Sequence, residues 1–174
     1  MRRYLLHVLI ISFVFLLAAT ASYAGETYEE YSKRIDNERA IDNAKEEVRN
    51  NPDDKWAHSN LGYAYYNSGK YEEAIESYKQ AIRIDPDFAI AYHNLGLAYR
   101  RWGFSQKSAE KALEKAVVLY KKFIRNNPGD AMVHYNLGLA YLGLYDRDSA
   151  IDQYKILKTL DTEQANKLFN EIYK

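Results

Sequence analysis

Between Arg39 and Ile172 the apolar residues recur at steps of three and four. The clearest run is Tyr71, Ala74, Ile75, Tyr78, Ala81 and Ile82. That spacing lays one apolar stripe along a helix. Before it, Trp56, Leu61, Gly62 and Tyr65 predict a partner helix, with Ser68-Gly69-Lys70 as the turn between the two. Asp85-Pro86 closes the pair, because a residue that precedes proline is pushed out of the helical region. The pattern then repeats. Asn60-Leu61-Gly62-Tyr63-Ala64-Tyr65 returns as Asn94-Leu95-Gly96-Leu97-Ala98-Tyr99 and as Asn136-Leu137-Gly138-Leu139-Ala140-Tyr141, at starts 34 and then 42 residues apart. A helix pair repeated at a period near 34 cannot bury its apolar face alone, so it must stack on its neighbours.

Residues 25–54 predict a degenerate N-terminal repeat or cap. Ala40, Ile41, Ala44 and Val48 keep helical spacing up to Pro52, and Tyr28 to Ile35 reads either as a first helix or as a frayed cap. Residues 55–88 are the first full unit. Residues 89–130 are the second, lengthened by eight residues, with Ser105 as N-cap of one long helix from Gln106 to Asn126. Here the pattern resumes at Ala116, Tyr120, Phe123 and Pro128. The extra two turns are therefore expected to project past the edge of the array, carrying Ala109, Ala112, Leu113 and Ala116 with them. Residues 131–164 form the third unit. In it Tyr145 takes the place of the turn glycine and Thr162 that of the closing proline, so Thr162 is expected to cap the next helix. Residues 165–174, with Ala165, Leu168, Phe169 and Ile172 on one side, predict a capping helix.

Leu61-Gly62, Tyr65, Ala74, Tyr78, Ala81 and Pro86 together resemble the tetratricopeptide repeat (TPR) family, over residues 55–164 and, with the degenerate ends, 39–174. The resemblance implies an all-α fold, a right-handed superhelical array of antiparallel helix pairs. It also implies that the first helices line a concave groove. The groove positions it assigns are Trp56, Ser59, Asn60, Tyr63, Tyr66 and Asn67 in the first unit. In the second they are Ile90, His93, Asn94, Leu97, Arg100 and Arg101, and in the third Met132, Tyr135, Asn136, Leu139, Leu142 and Gly143. Asn60, Asn94 and Asn136 form a ladder of amides, each with two donors and an acceptor for a peptide main chain, or for bonds within the array. The family's carboxylate clamp requires Lys or Arg at places that hold Ser59, Tyr63, His93 and Leu97, so it is not supported. Arg100 and Arg101 are the cations expected on this face.

Composition narrows the classes that remain. Of 174 residues, 24 are Lys or Arg and 24 are Asp or Glu, so no global field points to nucleic acid. The absence of cysteine removes disulfide, thiolate-zinc and thiol chemistry. His58 and His134 hold equivalent places two units apart, too far from each other to share a metal. No motif of a hydrolase, zinc protease or phosphate loop occurs. No enzyme, metal or cofactor is therefore expected.

Met1-Arg2-Arg3, the apolar run Tyr4 to Ala19 and the small residues up to Ala24 have the three-part layout of a secretory signal peptide at residues 1–24. Cleavage is expected after Ala24, giving a secreted or periplasmic protein. Left uncleaved, the run would be a membrane anchor. The expected role is a protein–protein interaction module that binds a partner peptide or helix in its groove. The alternative is a self-associating scaffold of the cell envelope, a homo-oligomer built through the long helix.

Overall fold

A computed structural model describes residues 27–103 and 105–174. The expected signal segment and its expected cut after Ala24 lie outside the described residues. Among the described residues eight helices occur in order: α1 (Tyr28–Asn50), α2 (Lys55–Asn67), α3 (Tyr71–Ile84), α4 (Ala89–Trp102), α5 (Gln106–Asn126), α6 (Ala131–Gly143), α7 (Arg147–Leu160) and α8 (Thr162–Ile172). Each packs antiparallel on the next, and the apolar stripes meet in a core that runs the length of the stack.

Short polar residues start most of the helices. Thr27 and Glu30 form a reciprocal capping box on α1, while Asp54, Ser105, Asp130 and Asp146 accept from the first free backbone N–H groups of α2, α5, α6 and α7. The cap of α8 is Asp161, which accepts from the N–H groups of Glu163 and Gln164. It precedes the expected Thr162 by one residue, because Asp161 already has extended backbone and Thr162 is the first helical residue. The N-terminal segment is one continuous helix and not a pair.

Glycines set the closest approaches. A Cβ on Gly62 would lie 2.7 Å from the Tyr78 ring, so α2 and α3 touch through backbone on one side and a fully buried tyrosine on the other. In the second unit Gly96 meets Leu113, at 2.6 Å from a would-be Cβ. Leu113 lies seven residues before Tyr120, the residue that the repeat pattern aligns with Tyr78. The long helix has thus slid by about two turns. Ala109, Ala112, Leu113 and Ala116 are 0–6% exposed and belong to the core, which corrects the expected projection at this end. The physical reason is the short link: Gly103 at φ +72 and the Ser105 cap start α5 directly beside the end of α4. The surplus length emerges at the other end. Lys122 Nζ pairs with Asp87 Oδ2 at 2.5 Å, just before α4 begins, and the residues beyond it run past that helix.

Tyr145 occupies the left-handed region at φ 62, as Gly69 and Gly103 do at φ 74 and 72. The turn geometry therefore survives without glycine. Arg100 offsets the strain: its guanidinium lies 4.9 Å from the Tyr145 ring centroid and donates to the phenol at 3.3 Å. At the C-terminal end, Leu168 of α8 is fully buried over Gly138 of α6.

Candidate functional site

The structure divides the expected groove residues into three groups. Ser59 and His93 are 5% and 6% exposed and do not face the groove. Each stands three residues before a close-approach glycine, Gly62 or Gly96, and so shares the face that meets the second helix of its pair. His93 lies edge-on to Tyr120 at 6.5 Å, and its Nδ1 has no hydrogen-bond partner. Burial lowers its pKa from the ordinary 6.5 to about 4.

Arg100 and Arg101 are engaged with the array itself. Arg100 donates to the Gly143 carbonyl at the end of α6 at 2.9 Å, where the helix dipole favours a cation. Arg101 Nε donates to the Tyr66 phenol at 3.4 Å. Between them the two arginines tie the second unit to the third and to the first, through Gly143 and Tyr66, which are themselves expected groove positions. Tyr66 also meets Tyr71 edge-on at 5.6 Å. Ile90, Tyr135, Leu139 and Leu142 are half-buried against the C-terminal core, Leu97, Asn94 and Asn136 are half-buried, and Met132 is exposed.

The third group lies together. Asn60, Tyr63 and Asn67 are exposed and line an open depression of about 330 Å³ between α1 and α2. Its other wall is Asn37, Ala40, Asn43, Ala44 and Glu47 of α1. Asn60 Nδ2 donates to Glu47 Oε2 at 3.3 Å, and Asn37 Nδ2 donates to the Asn67 carbonyl at 3.5 Å. Glu47 is the one ionic group of the lining. The α1 wall was not among the positions expected from the sequence. Its signal was present as Asn37, Ala40, Ala44 and Glu47, one face of a helix at steps of three and four.

His58 and His134 act in packing. The Nε2 of each donates to a proline carbonyl six residues back, Pro52 at 2.8 Å and Pro128 at 3.0 Å, and so fastens the loop between units to the helix after it. Among the described residues, no three His, Asp or Glu converge as a metal site would need. Also among them, no helix is long and apolar enough to cross a membrane. A second open depression, of about 500 Å³, lies where the end of α5 meets α6 and α7, with Val118 and Ile156 exposed on it and Lys121 and Arg125 at its rim.

An end-to-end stack of antiparallel helix pairs, held by glycine-to-side-chain seats, defines an all-α repeat solenoid. Residues 62–103 match a family model described as TPR repeat and residues 44–76 one described as Tetratricopeptide repeat, so the family models support TPR repeats over this part of the chain, and the fold is consistent with a TPR solenoid. No curated protein matches the chain. Among solved structures, the thermophilic TPR protein TTC0263 of Thermus thermophilus is 24% identical, with a TM-score of 0.60 over 90% of this chain and 78% of that one. MamA is 28% identical at a TM-score of 0.47, over 75% and 71% of the two chains. The first TPR of Spaghetti (RPAP3), bound to HSP90 peptide SRMEEVD, is 24% identical at a TM-score of 0.46, over 68% and 90%.

Proposed function

We propose that the chain is a non-enzymatic interaction module, exported through its N-terminal signal, that takes a protein partner on the inner face of its solenoid. The observation that carries this reading is the exposed stripe Asn60, Tyr63 and Asn67 on an open depression walled by amides. Amides can pair with either polar group of a peptide, and Tyr63, 58% exposed, offers apolar area with few rotatable bonds. Along the rest of the inner face Met132 is also exposed, while Ile90, Asn94, Leu97, Tyr135, Asn136, Leu139 and Leu142 are half-buried and Arg100 and Arg101 are bonded within the array, so the depression at the N-terminal end is where exposed groove residues lie together.

In-cell photo-crosslinking from position 63, with position 97 in parallel, tests it. An adduct of distinct mass from position 63 supports a foreign partner. An adduct at twice the protein's own mass transfers support to the self-associating scaffold. The absence of an adduct from both positions refutes inner-face binding. The scaffold reading has its own surface, the exposed Val118 of α5 and Ile156 of α7 on the second depression.

A further inference from the structure

The depression between α1 and α2 has a specific shape, which arises from the register of the repeat. Pro52 and Pro86 each close a helix, 34 residues apart. At that offset Asn37, Ala40, Asn43, Ala44 and Glu47 of α1 correspond to Tyr71, Ala74, Ser77, Tyr78 and Ala81 of α3. On α3 this stripe is the one covered by the first helix of its own pair. Ala74, Tyr78 and Ala81 are 0–1% exposed, and Gly62 of α2 lies on the Tyr78 ring. On α1, Ala40 and Asn43 are exposed, Asn37 and Glu47 are half-exposed, and Ala44 alone of the stripe is buried, at 7% exposed, packed with Ala64 at the floor of the depression. No helix precedes α1 among the described residues to cover them. Helix α1 thus has the register of the second helix of a pair, with no first helix against it among the described residues. The facing stripe Asn60, Tyr63 and Asn67 on α2 completes a two-walled seat.

We infer that this seat receives a helix of a partner protein, which docks antiparallel to α1 and completes the half-repeat. The inference rests on the interaction-module reading for its location and adds the partner's form and chemistry. Complementarity fixes two features. Where α3 has the large Tyr78 its covering helix has a glycine, so above the small Ala44 at the floor of the depression, between the exposed Ala40 and Asn43, the incoming helix needs a large apolar side chain. One turn nearer the N-terminus of an antiparallel helix, the residue opposite position 47 meets a carboxylate where α3 has Ala81. One Glu47 oxygen accepts from Asn60, and a Lys or Arg on the incoming helix matches the remaining acceptor capacity. The docking mode is a helix laid in a groove, read through residues at steps of three and four.

The test uses a fluorescein-labelled, alanine-rich peptide of about 14 residues, too short to be strongly helical alone. It carries a leucine at its centre and a lysine one turn before, and a second peptide has glutamate in place of that lysine. The expected results are saturable binding of the lysine peptide with a gain of helicity, and binding of the glutamate peptide weaker by about tenfold. Ala40→Trp, on an exposed position, should abolish binding while the protein's own circular dichroism is unchanged. Glu47→Lys should reverse the preference between the two peptides. Leu97→Asp, farther along the inner face, should leave peptide binding unaltered. Absence of binding at millimolar peptide, or binding that Ala40→Trp does not change, overturns the helix seat. So does a dimer in light scattering that Ala40→Trp dissolves, since the occupant is then a second copy. A partner that crosslinks from position 63 and is still captured by the Ala40→Trp protein sinks the seat and leaves the interaction module standing. Peptide binding with no cellular adduct does the reverse.

Discussion

Helices α1 and α3 carry the same register of residues and have opposite surroundings. On α3 the stripe Tyr71, Ala74, Tyr78 and Ala81 is closed over by α2. On α1 the matching stripe Asn37, Ala40, Ala44 and Glu47 has an amide, a methyl and a carboxylate at three places where α3 has tyrosine or alanine, and much of it is open. Both are regular helices, and α1 is the longer, with a complete capping box. What differs among the described residues is the covering helix. On α3, where it is present, volume is fixed to within a methyl group. On the open part of α1, polar groups stand at no cost because water satisfies them.

The sharpest break is removal of the knob that fills the covered side. Tyr78 is 1% exposed and rests on Gly62, so Tyr78→Ala leaves a cavity that the glycine cannot fill. The expected loss is about 3–5 kcal/mol, as for other large aromatic truncations in cores. Chemical denaturation checks it, and a loss below about 1 kcal/mol, within the range of a surface change, would mean the stripe is not a true core.

The covered side should also reject charge. His93 sits in the equivalent interface of the next pair, with its pKa pushed down to about 4 by burial. The unfolded chain therefore binds this proton first, near its ordinary value of 6.5. Stability is full above that value and falls as pH drops toward 4, by about 3 kcal/mol for a shift of this size. His93→Phe, which keeps a ring against Tyr120, should flatten this part of the pH profile. Asp85, held down by the Lys55 ammonium and the Asp87 N–H, and Asp146, held down by Ser149, add losses in the same direction. Those belong to the carboxylate range and so come at lower pH. Thermal melts between pH 7 and 4 read the histidine window apart from the carboxylate one, which begins near 3.8 and runs downward, and an unchanged slope in the His93→Phe protein would contradict the assignment.

One substitution made on both helices tests the comparison directly. Ala74→Leu inserts three carbons where exposure is 0% and should cost about 1–3 kcal/mol. Ala40→Leu, at the same register on α1, is exposed and should change stability by less than about 0.5 kcal/mol. Equal costs would mean that α1 is covered in solution.

This contrast also explains what could be read from the chain. Periodicity reports which residues share a face, so the helix pairs, the Ser105 cap and the span Gln106–Asn126 came from the residues alone. It does not report axial register. An insertion of eight residues, close to two whole turns, keeps the same face in contact at either of two registers. Nothing local therefore separated Leu113 from Tyr120 as the partner of Gly96. The bonds of the arginines were not legible for a related reason: their acceptors, Gly143 and Tyr66, lie 43 and 35 residues away, and one is a backbone carbonyl that any sequence offers. Of the candidate site, the α2 wall was legible as a family position. The α1 wall was not, because openness is set by whether a covering helix is there and not by the residues it would cover.

The smallest effect should come from the far end of α1. Thr27 accepts from the Glu30 N–H at 3.2 Å, while the Glu30 carboxylate accepts from the Thr27 N–H at 2.8 Å. That backbone bond, with the Thr27 hydroxyl, holds the Glu30 carboxyl below its ordinary range. Loss of such a cap costs about 1 kcal/mol when the helix unfolds with the rest of the protein. Here the first turns of α1 run past the end of α2, and Tyr28 is 55% exposed. This end can therefore fray without disturbing the core at Ile41 and Ala44. Thr27→Ala should then speed amide exchange over residues 28–35 while shifting the global denaturation midpoint hardly at all. The same exchange experiment with a helix seated between α1 and α2 should slow the amides of residues 37–47 and leave those of 28–35 fast. A cap mutation that lowers the global midpoint by its full amount would show instead that α1 is cooperative to its first residue, with its outer turns held by contacts beyond α2.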